Sequence, residues 1–175
     1  MSFSTRSIEP PPEALHNTYK FAMLLSNMRI SAKGRYALAV MVQMAENYGN
    51  GEYIAVINIS KNLGISKIYL EQIFSLLKKS GLLHSVKGTQ GGYHLARRPR
   101  LITAADILSA VEVSLFEETK GTVSDKAFEI DKSIRLLVFD ALDKKIKETL
   151  EGITLEALVL DTEKYKTDGK NMFYI

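Results

Sequence analysis

The segment from Ile57 to Gly81 combines a short helix pattern, a glycine turn and a second, capped helix. Ile57–Leu63 predicts the short helix, and Gly64 supplies the left-handed turn that follows it. Ser66 is a favourable N-cap, and the apolar residues after it recur at the spacing of one helical face up to about Lys79. A short helix, a glycine-containing turn and a capped helix together form a helix-turn-helix.

A glycine-tipped hairpin follows directly. Leu82–Val86 and Tyr93–Ala96 are short strand patterns, and the connecting KGTQGG carries Lys87 but no acid. A hairpin in this position is the wing of a winged helix. Glycine permits positive φ and removes side-chain bulk, so the tip can lie against a phosphate backbone or in a minor groove while Lys87 reaches in. We therefore expect the wing to meet DNA through Lys87, Gly88, Gly91 and Gly92.

The charge of the chain is unevenly distributed. The net charge at pH 7 is +3. Residues 28–111 contain eleven Lys or Arg against four Asp or Glu, whereas residues 112–175 contain ten against fourteen. Residues 72–105 contain six basic residues and no acidic one. A basic front part indicates a nucleic-acid surface, although a solvated basic surface without a ligand would give the same counts.

Two further capped helices frame this region. Ser31 is a candidate N-cap for a helix whose apolar positions extend to Tyr48, and Thr103 is a candidate N-cap for another short helix. Between them, Tyr53–Val56 predicts a short strand. We therefore assign residues 28–112 to a winged helix-turn-helix DNA-binding domain. The fold class is mainly α with a small β wing (α+β).

A long apolar helix pattern follows residues 113–130, which themselves predict a loop. A helix that is apolar over so much of its surface needs more than one neighbour. It packs either on its own domain or on a second copy of the chain. We favour dimerisation helices within residues 131–160, because the small preceding domain has little more core to offer. Gly152–Leu160 predicts a short closing helix. The candidate interface residues are Ile134, Leu137, Val138, Ala141 and Leu142.

The two ends of the chain differ from this organised middle. Residues 1–27 contain EPPPE and no periodic apolar pattern over their first half, so we expect a disordered or non-native extension. Residues 161–175 begin with a polar stretch that we expect to be mobile and finish with MFYI. No apolar run reaches the roughly 18 residues of a membrane span. We expect a cytoplasmic protein with no membrane partner.

Residues that carry catalysis or hold metals are sparse. The sequence has no cysteine, which excludes disulfides, thiolate catalysis and cysteine-ligated clusters. His84 and His94 fall on opposite strands of the wing and could approach each other, but two ligands alone make a poor metal site. GTQGG lacks the spacing and the Lys-Ser/Thr pair of a nucleotide-binding loop. We expect no enzyme activity, no cofactor and no metal.

Four segments resemble one family of bacterial regulators. They are MRISAKGRYAL (Met28–Leu38), GISKIYLEQIFSLLKKSGL (Gly64–Leu82), SVKGTQGGYHLAR (Ser85–Arg97) and ITAADILSAVE (Ile102–Glu112). The winged-helix family that they resemble includes the iron–sulfur regulator IscR, the nitric-oxide regulator NsrR and the cysteine-metabolism repressor CymR. The resemblance extends to about Leu160. It implies a homodimer in which long C-terminal helices cross. The two winged helix-turn-helix domains, here called heads, bind a palindromic operator in double-stranded DNA.

The resemblance also implies which residues meet DNA. The base-reading positions of the family's recognition helix fall here on Ser66, Ile68, Tyr69, Glu71 and Gln72. The first-helix phosphate contacts fall on Ser31, Lys33, Arg35 and Tyr36, and the wing residue that enters the minor groove falls on Lys87. The chemistry agrees, because Glu accepts from cytosine N4 and Gln pairs with adenine. Ile68 replaces a small polar residue of some relatives and cannot make the hydrogen bond of such a residue.

Many members of this family hold an iron–sulfur cluster on three cysteines in the segment that corresponds to Leu115–Ile130. Here that segment has no cysteine, so the resemblance is nearest to the cluster-free cysteine-metabolism repressor. That repressor works with O-acetylserine (thiol)lyase, an enzyme that captures tails ending in isoleucine. The resemblance therefore implies a partner-binding tail formed by Phe173, Tyr174 and Ile175. A tail that folds back on its own core is the alternative.

Three functions remain open on the sequence. The leading hypothesis is a dimeric transcriptional regulator, a repressor of cysteine and sulfur metabolism. The second is a winged-helix protein-interaction module without DNA affinity. The third is a regulator that senses a small molecule or a metal through residues 115–130. Salt-dependent binding to palindromic DNA separates the first two, and a metal or ligand bound to the purified protein would support the third.

Overall fold

The described part of the chain is a set of seven α-helices and one two-stranded sheet, as the predicted fold class requires. A computed structural model describes residues 30–49, 53–88, 91–112, 115 and 127–171, with side chains through residue 167. Contacts divide the chain into the units Met1–Ile30 and Ser31–Ile175, and the elements formed by the described residues all belong to the second. They are α1 (Ala32–Glu46), α2 (Val56–Leu63), α3 (Lys67–Lys79), β1 (Leu83–Val86), β2 (Gly92–Leu95), a 3₁₀ turn (Pro99–Leu101), α4 (Ala104–Val111), α5 (Phe128–Ile134), a π-helical turn (Arg135–Phe139), α6 (Asp140–Glu151) and α7 (Leu155–Asn171).

The helix-turn-helix is formed by α2 and α3 and confirms the predicted boundaries to within one residue. Gly64 ends α2 in the left-handed conformation at φ +65°, where a side chain would add strain. The Ser66 Oγ accepts a hydrogen bond from the Tyr69 amide at 3.3 Å and caps α3. The apolar side of α3 is fully buried, so its opposite side is the one left to face a ligand.

The wing is an antiparallel pair in which Leu83 is opposite Leu95 and Val86 is opposite Gly92. A third segment joins it through one residue, because Ile54 and Tyr93 exchange two backbone hydrogen bonds of 2.9 Å. The expected strand at Tyr53–Val56 is therefore wrong in extent. Val56 already belongs to α2, and of residues 53–55 only Ile54 pairs with the sheet.

One core lies under these elements. α1 contacts α2, α3, α4, α7 and β2. The Thr103 Oγ1 accepts from the Asp106 amide at 3.1 Å, and the Asp106 carboxylate accepts from the Thr103 amide at 3.0 Å, which forms a complete capping box at the start of α4. The largest fully buried side chains come from α1 to α4, β1, the start of α7 and the segments between them: Met41, Ile59, Leu70, Ile73, Phe74, Leu77, Leu82, Leu83, Ile102, Ile107, Leu108 and Leu155.

The predicted dimerisation helix is a continuous helical segment made of α5, the π-helical turn and α6. It begins at Phe128, so Phe128–Ile130 are helical and were wrongly assigned to the loop. Residues 116–126 of that predicted loop lie outside the described residues. α6 contacts α4, and none of the three parts of the segment carries a buried residue.

α7 is longer than predicted. The helix expected to end at Leu160 extends to Asn171, so its predicted end is wrong and residues 161–171, which were expected to be mobile, are helical. Backbone bonds of 2.8 Å from Ala104 to Ile153 and from Leu155 to Ile102 fix its start against α4. Further along, Lys166 Nζ donates to Glu46 Oε1 at 2.7 Å and ties the polar half to α1. Docking on α1 thus sustains a helix that lacks a strong apolar stripe.

Two predictions fall outside this description. The extension at residues 1–27 and the tail residues Phe173, Tyr174 and Ile175 lie beyond the described residues. Among the residues that are described, no helix combines the length and the apolar character needed to cross a membrane.

Candidate nucleic-acid interface

The recognition helix α3 presents a mixed polar and apolar face to solvent. Its buried residues are Leu70, Ile73, Phe74 and Leu77, which occupy one side. The opposite side exposes Ser66, Lys67, Ile68, Glu71 and Gln72. The side chain of Ile68 is 75% exposed although it is large and apolar. Four of the predicted base-reading positions, Ser66, Ile68, Glu71 and Gln72, are therefore exposed at the amino-terminal half of the helix, and the fifth, Tyr69, is half-buried.

Glu71 is paired on its own helix. Lys67 Nζ lies 3.1 Å from Glu71 Oε1, and about half of each side chain is exposed. An exposed ion pair of this kind contributes little interaction free energy. Because this pair is weak, Glu71 can leave Lys67 at little cost and accept from another donor, such as the amino group of a base.

Tyr36 of α1 and Tyr69 of α3 come together, although they were predicted from separate segments. Their rings meet edge to face with centroids 5.7 Å apart. Both residues are half-buried, and both contact the core. The contact places the predicted phosphate-binding surface of α1 next to the predicted base-reading surface of α3.

The first turn of α1 is held by a residue that the sequence did not single out. Ser31 caps the helix, and its hydroxyl accepts from the Gly34 amide at 3.3 Å. The carboxylate oxygen Oε1 of Glu112 accepts from the Ser31 amide and from the Gly34 amide, each at 3.1 Å, and from the Ser31 hydroxyl. Lys33 and Arg35 extend from the same turn. No local pattern reveals Glu112 as their anchor, because it lies 81 residues along the chain from Ser31.

The wing glycines have structural roles inside the hairpin. Gly88 has φ +125°, and its carbonyl accepts from the Gly91 amide at 3.0 Å. A Cβ on Gly91 would lie 2.4 Å from the Val86 carbonyl oxygen, and a Cβ on Gly92 would lie 2.7 Å from that of Ile54. These glycines allow the tight turn and the close approach of Ile54. Lys87 is exposed beside them.

His84 and His94 pair directly across the wing strands, as predicted. Their ring centroids are 5.5 Å apart, and Tyr53 lies on the other side of His94 at 5.0 Å. The His94 Nδ1 lies 2.8 Å from the Leu95 carbonyl oxygen, which makes it the protonated nitrogen. Within the described ranges, no group of three or more metal-ligand side chains comes together.

The predicted dimer residues lie on an uncovered helix surface. Leu137 is 79% exposed and Val138 is 53% exposed, and Ile134, Ala141 and Leu142 are also accessible. Phe128, Ile130 and Leu136 add exposed apolar side chains to the same helical segment. A run of accessible apolar side chains this long is a typical interaction surface.

Comparison with known proteins agrees with this architecture. Residues 30–161 match the model of the Rrf2 family, described as iron-dependent transcriptional regulators. The regulator CymR of Bacillus subtilis is 35% identical over 152 residues, which cover 85% of this chain and all of CymR. The regulator IscR of Xenorhabdus nematophila is 37% identical over 136 residues, which cover 78% of this chain and 82% of IscR.

Solved structures of the same two regulators resemble this fold. The structure of CymR, the global cysteine regulator of B. subtilis, superposes with a TM-score of 0.62 at 32% identity and covers 75% of this chain and 96% of its own. The structure of T. potens IscR has a TM-score of 0.62 at 35% identity, and the match covers 81% of this chain and 93% of the IscR chain. These relatives are transcriptional regulators and not enzymes. The chain belongs to the Rrf2 family and is a winged-helix, DNA-binding regulator of transcription.

Proposed function

We propose that the chain binds a palindromic operator as a homodimer and represses genes of cysteine and sulfur metabolism. Relatives of both kinds, CymR and IscR, have nearly the same identity to it, so identity alone does not choose between them. The absence of cysteine favours CymR, because an iron–sulfur cluster such as that of the iron–sulfur regulator is held by thiolates. The cysteine regulator is therefore the relative whose role we carry over.

The proposal rests above all on the accessible face of α3, flanked by α1. In it, α3 enters the major groove, where Glu71 accepts from cytosine N4, Gln72 pairs with adenine and Ile68 contacts a thymine methyl group. Phosphates on either side are bound by Ser66 and Tyr69 of α3 and by Lys33, Arg35 and Tyr36 of α1, whose first turn Ser31 caps. The wing tip, which contains Gly88, Gly91 and Gly92, places Lys87 in the minor groove.

The dimer forms through the apolar surface of the helical segment 128–151. Its exposed residues Ile134, Leu137, Val138, Ala141 and Leu142 become buried against a second copy related by a two-fold axis. Burial of apolar surface is the driving force. Two heads related in this way read half-sites about one helical turn apart, which is why the operator is palindromic.

Measured DNA affinity tests the proposal. Fragments of genomic DNA that the protein retains are sequenced, and affinity for the recovered site is measured by fluorescence anisotropy at several salt concentrations. We expect log Kd to rise linearly with log salt. Lys87→Ala should weaken binding, and Lys164→Ala on the exposed side of α7 serves as the control of equal charge change. Affinity that does not depend on salt would favour the protein-interaction module instead.

The regulatory partner in this proposal is O-acetylserine (thiol)lyase. The tail Phe173–Ile175 would enter the enzyme's active site, which is built for an amino-acid carboxylate. Deletion of Tyr174–Ile175 tests this step, with binding to the purified enzyme measured by calorimetry. We expect binding to be lost on deletion and to be competed by O-acetylserine. Unchanged binding would remove the tail from the mechanism and leave the DNA-binding proposal intact.

A further inference from the structure

Glu112 joins the end of α4 to the beginning of α1. Its own amide donates to the Leu108 carbonyl at 2.7 Å, which fixes its backbone as the C-cap of α4. Its side chain then crosses to α1 and accepts from two backbone amides, those of Ser31 and Gly34, at 3.1 Å each. A single carboxylate oxygen thus connects two helices at the edge of the proposed DNA surface.

This arrangement determines what the Ser31 hydroxyl can do. The hydroxyl has one proton to donate, and it donates that proton to Glu112. Its oxygen already accepts from the Gly34 amide. Ser31 therefore has no proton to offer to a phosphate while the bond to Glu112 is formed, and its contribution to DNA binding passes through the geometry of the turn.

The negative charge of Glu112 is balanced where it lies. It is placed at the amino end of a 15-residue helix, whose unpaired amides and dipole favour an anion. The side chains of Lys33 and Arg35 begin in this same turn. Their direction relative to α3 depends on the two contacts that hold the turn, one to Glu112 and one between Tyr36 and Tyr69.

We infer that Glu112 is a positioning residue for DNA binding, which acts by holding the first turn of α1 so that Lys33 and Arg35 face phosphates. The inference rests on the proposed phosphate contacts of α1. It assigns to Glu112 an influence on affinity for every DNA sequence and none on base preference, because phosphate contacts carry no sequence information.

Two substitutions at one position separate the hydrogen bonds from the charge. Glu112→Ala removes the acceptor and should weaken binding about tenfold on operator and unrelated DNA alike. The slope of log Kd against log salt concentration (the salt slope) should also be smaller by about one. Glu112→Gln keeps an amide oxygen that can accept from Ser31 and Gly34, and should stay within about threefold of wild type. Glu156→Ala on the exposed side of α7 controls for loss of a distant negative charge.

The salt slope distinguishes positioning from a loss of folded protein. A partly unfolded sample lowers the fraction of protein able to bind and leaves the slope unchanged. The measurement is therefore made on protein whose active fraction has been titrated. Ser31→Ala should also bind within about threefold of wild type, because the turn keeps its two amide contacts with Glu112.

Lys33→Ala separates this inference from the proposed function. If Lys33→Ala does not weaken binding, α1 is not at the phosphates and the proposed surface is wrong. If Lys33→Ala weakens binding while Glu112→Ala keeps the wild-type affinity and slope, the proposed surface stands and the inference fails. Equal weakening by Glu112→Ala and Glu112→Gln, or tighter binding by both, would show that the charge matters and would also overturn it.

Discussion

The ring of Tyr36 meets the ring of Tyr69 edge to face, with centroids 5.7 Å apart, where α1 crosses α3. The pair links the helix proposed to bind phosphates with the helix proposed to read bases. Each tyrosine keeps a partly accessible surface and also contacts the core. One contact therefore serves both the stability of the DNA-binding domain and the alignment of its proposed DNA surface.

Tyr69→Phe should separate these two roles. The phenyl ring keeps the edge-to-face contact, so we expect the free energy of unfolding to change by less than about 0.5 kcal/mol. The hydroxyl is lost, and DNA affinity should fall severalfold on all sequences. Tyr69→Ala should also lose the ring contact, which costs about 0.5–1.5 kcal/mol beyond the loss of the apolar area that the ring buries against the core. Urea denaturation and anisotropy are the two measurements, and a Phe variant that binds DNA like wild type would remove the hydroxyl from the interface.

Glu71→Ala should change base preference and not general affinity. We expect it to relax selectivity at one position of each half-site by about 1–3 kcal/mol. Lys33→Ala should weaken all sequences equally, because it removes a phosphate contact. Lys67→Ala controls for the ion pair on α3, since it frees Glu71 without removing it. Affinities for an operator set with single base changes check this, and a uniform loss in Glu71→Ala would contradict base reading.

Gly92→Ala should destabilise the wing. The new Cβ would lie 2.7 Å from the Ile54 carbonyl oxygen, which is backbone and cannot turn aside. We expect a cost of about 1–3 kcal/mol, typical of overpacking. Gly152→Ala is the matched control, because its Cβ would have no neighbour closer than 3.4 Å. Thermal unfolding measures both, and equal stabilities would mean that the Ile54–Tyr93 bridge opens without cost.

Val138→Asp should split the proposed dimer. A carboxylate at this position would be placed in an apolar interface and lose its hydration without gaining a partner. Ser133→Asp introduces the same charge at an exposed polar residue of α5 and should leave the assembly unchanged. Sedimentation velocity distinguishes the dimer from the monomer for each variant. A Val138→Asp protein that remains dimeric would move the interface away from this helix surface.

Much of the head follows from the sequence because the deciding interactions are local. Ser66, Thr103 and Gly64 act on amides or backbone angles within a few residues, so caps and turns at these positions were predicted and are confirmed. The wing follows from two short strands around three glycines, and the structure confirms it to within one residue at each strand end. The apolar stripe around Val138 also predicted a helix, and the helix is there.

Other features were decided by contacts between distant segments. Tyr53–Val56 has the composition of a strand, but only Ile54 pairs, and the strand cannot continue beyond Ala55 because α2 begins at Val56. Residues 161–171 are polar without a clear stripe, yet they are helical where α7 docks on α1 through Lys166 and Glu46. Glu112 holds Ser31 across 81 residues of chain. Local propensity does not include contacts between residues that are far apart in the sequence. A carboxylate caps a distant helix, and a polar stretch becomes helical, only when the fold brings the partner within hydrogen-bonding distance.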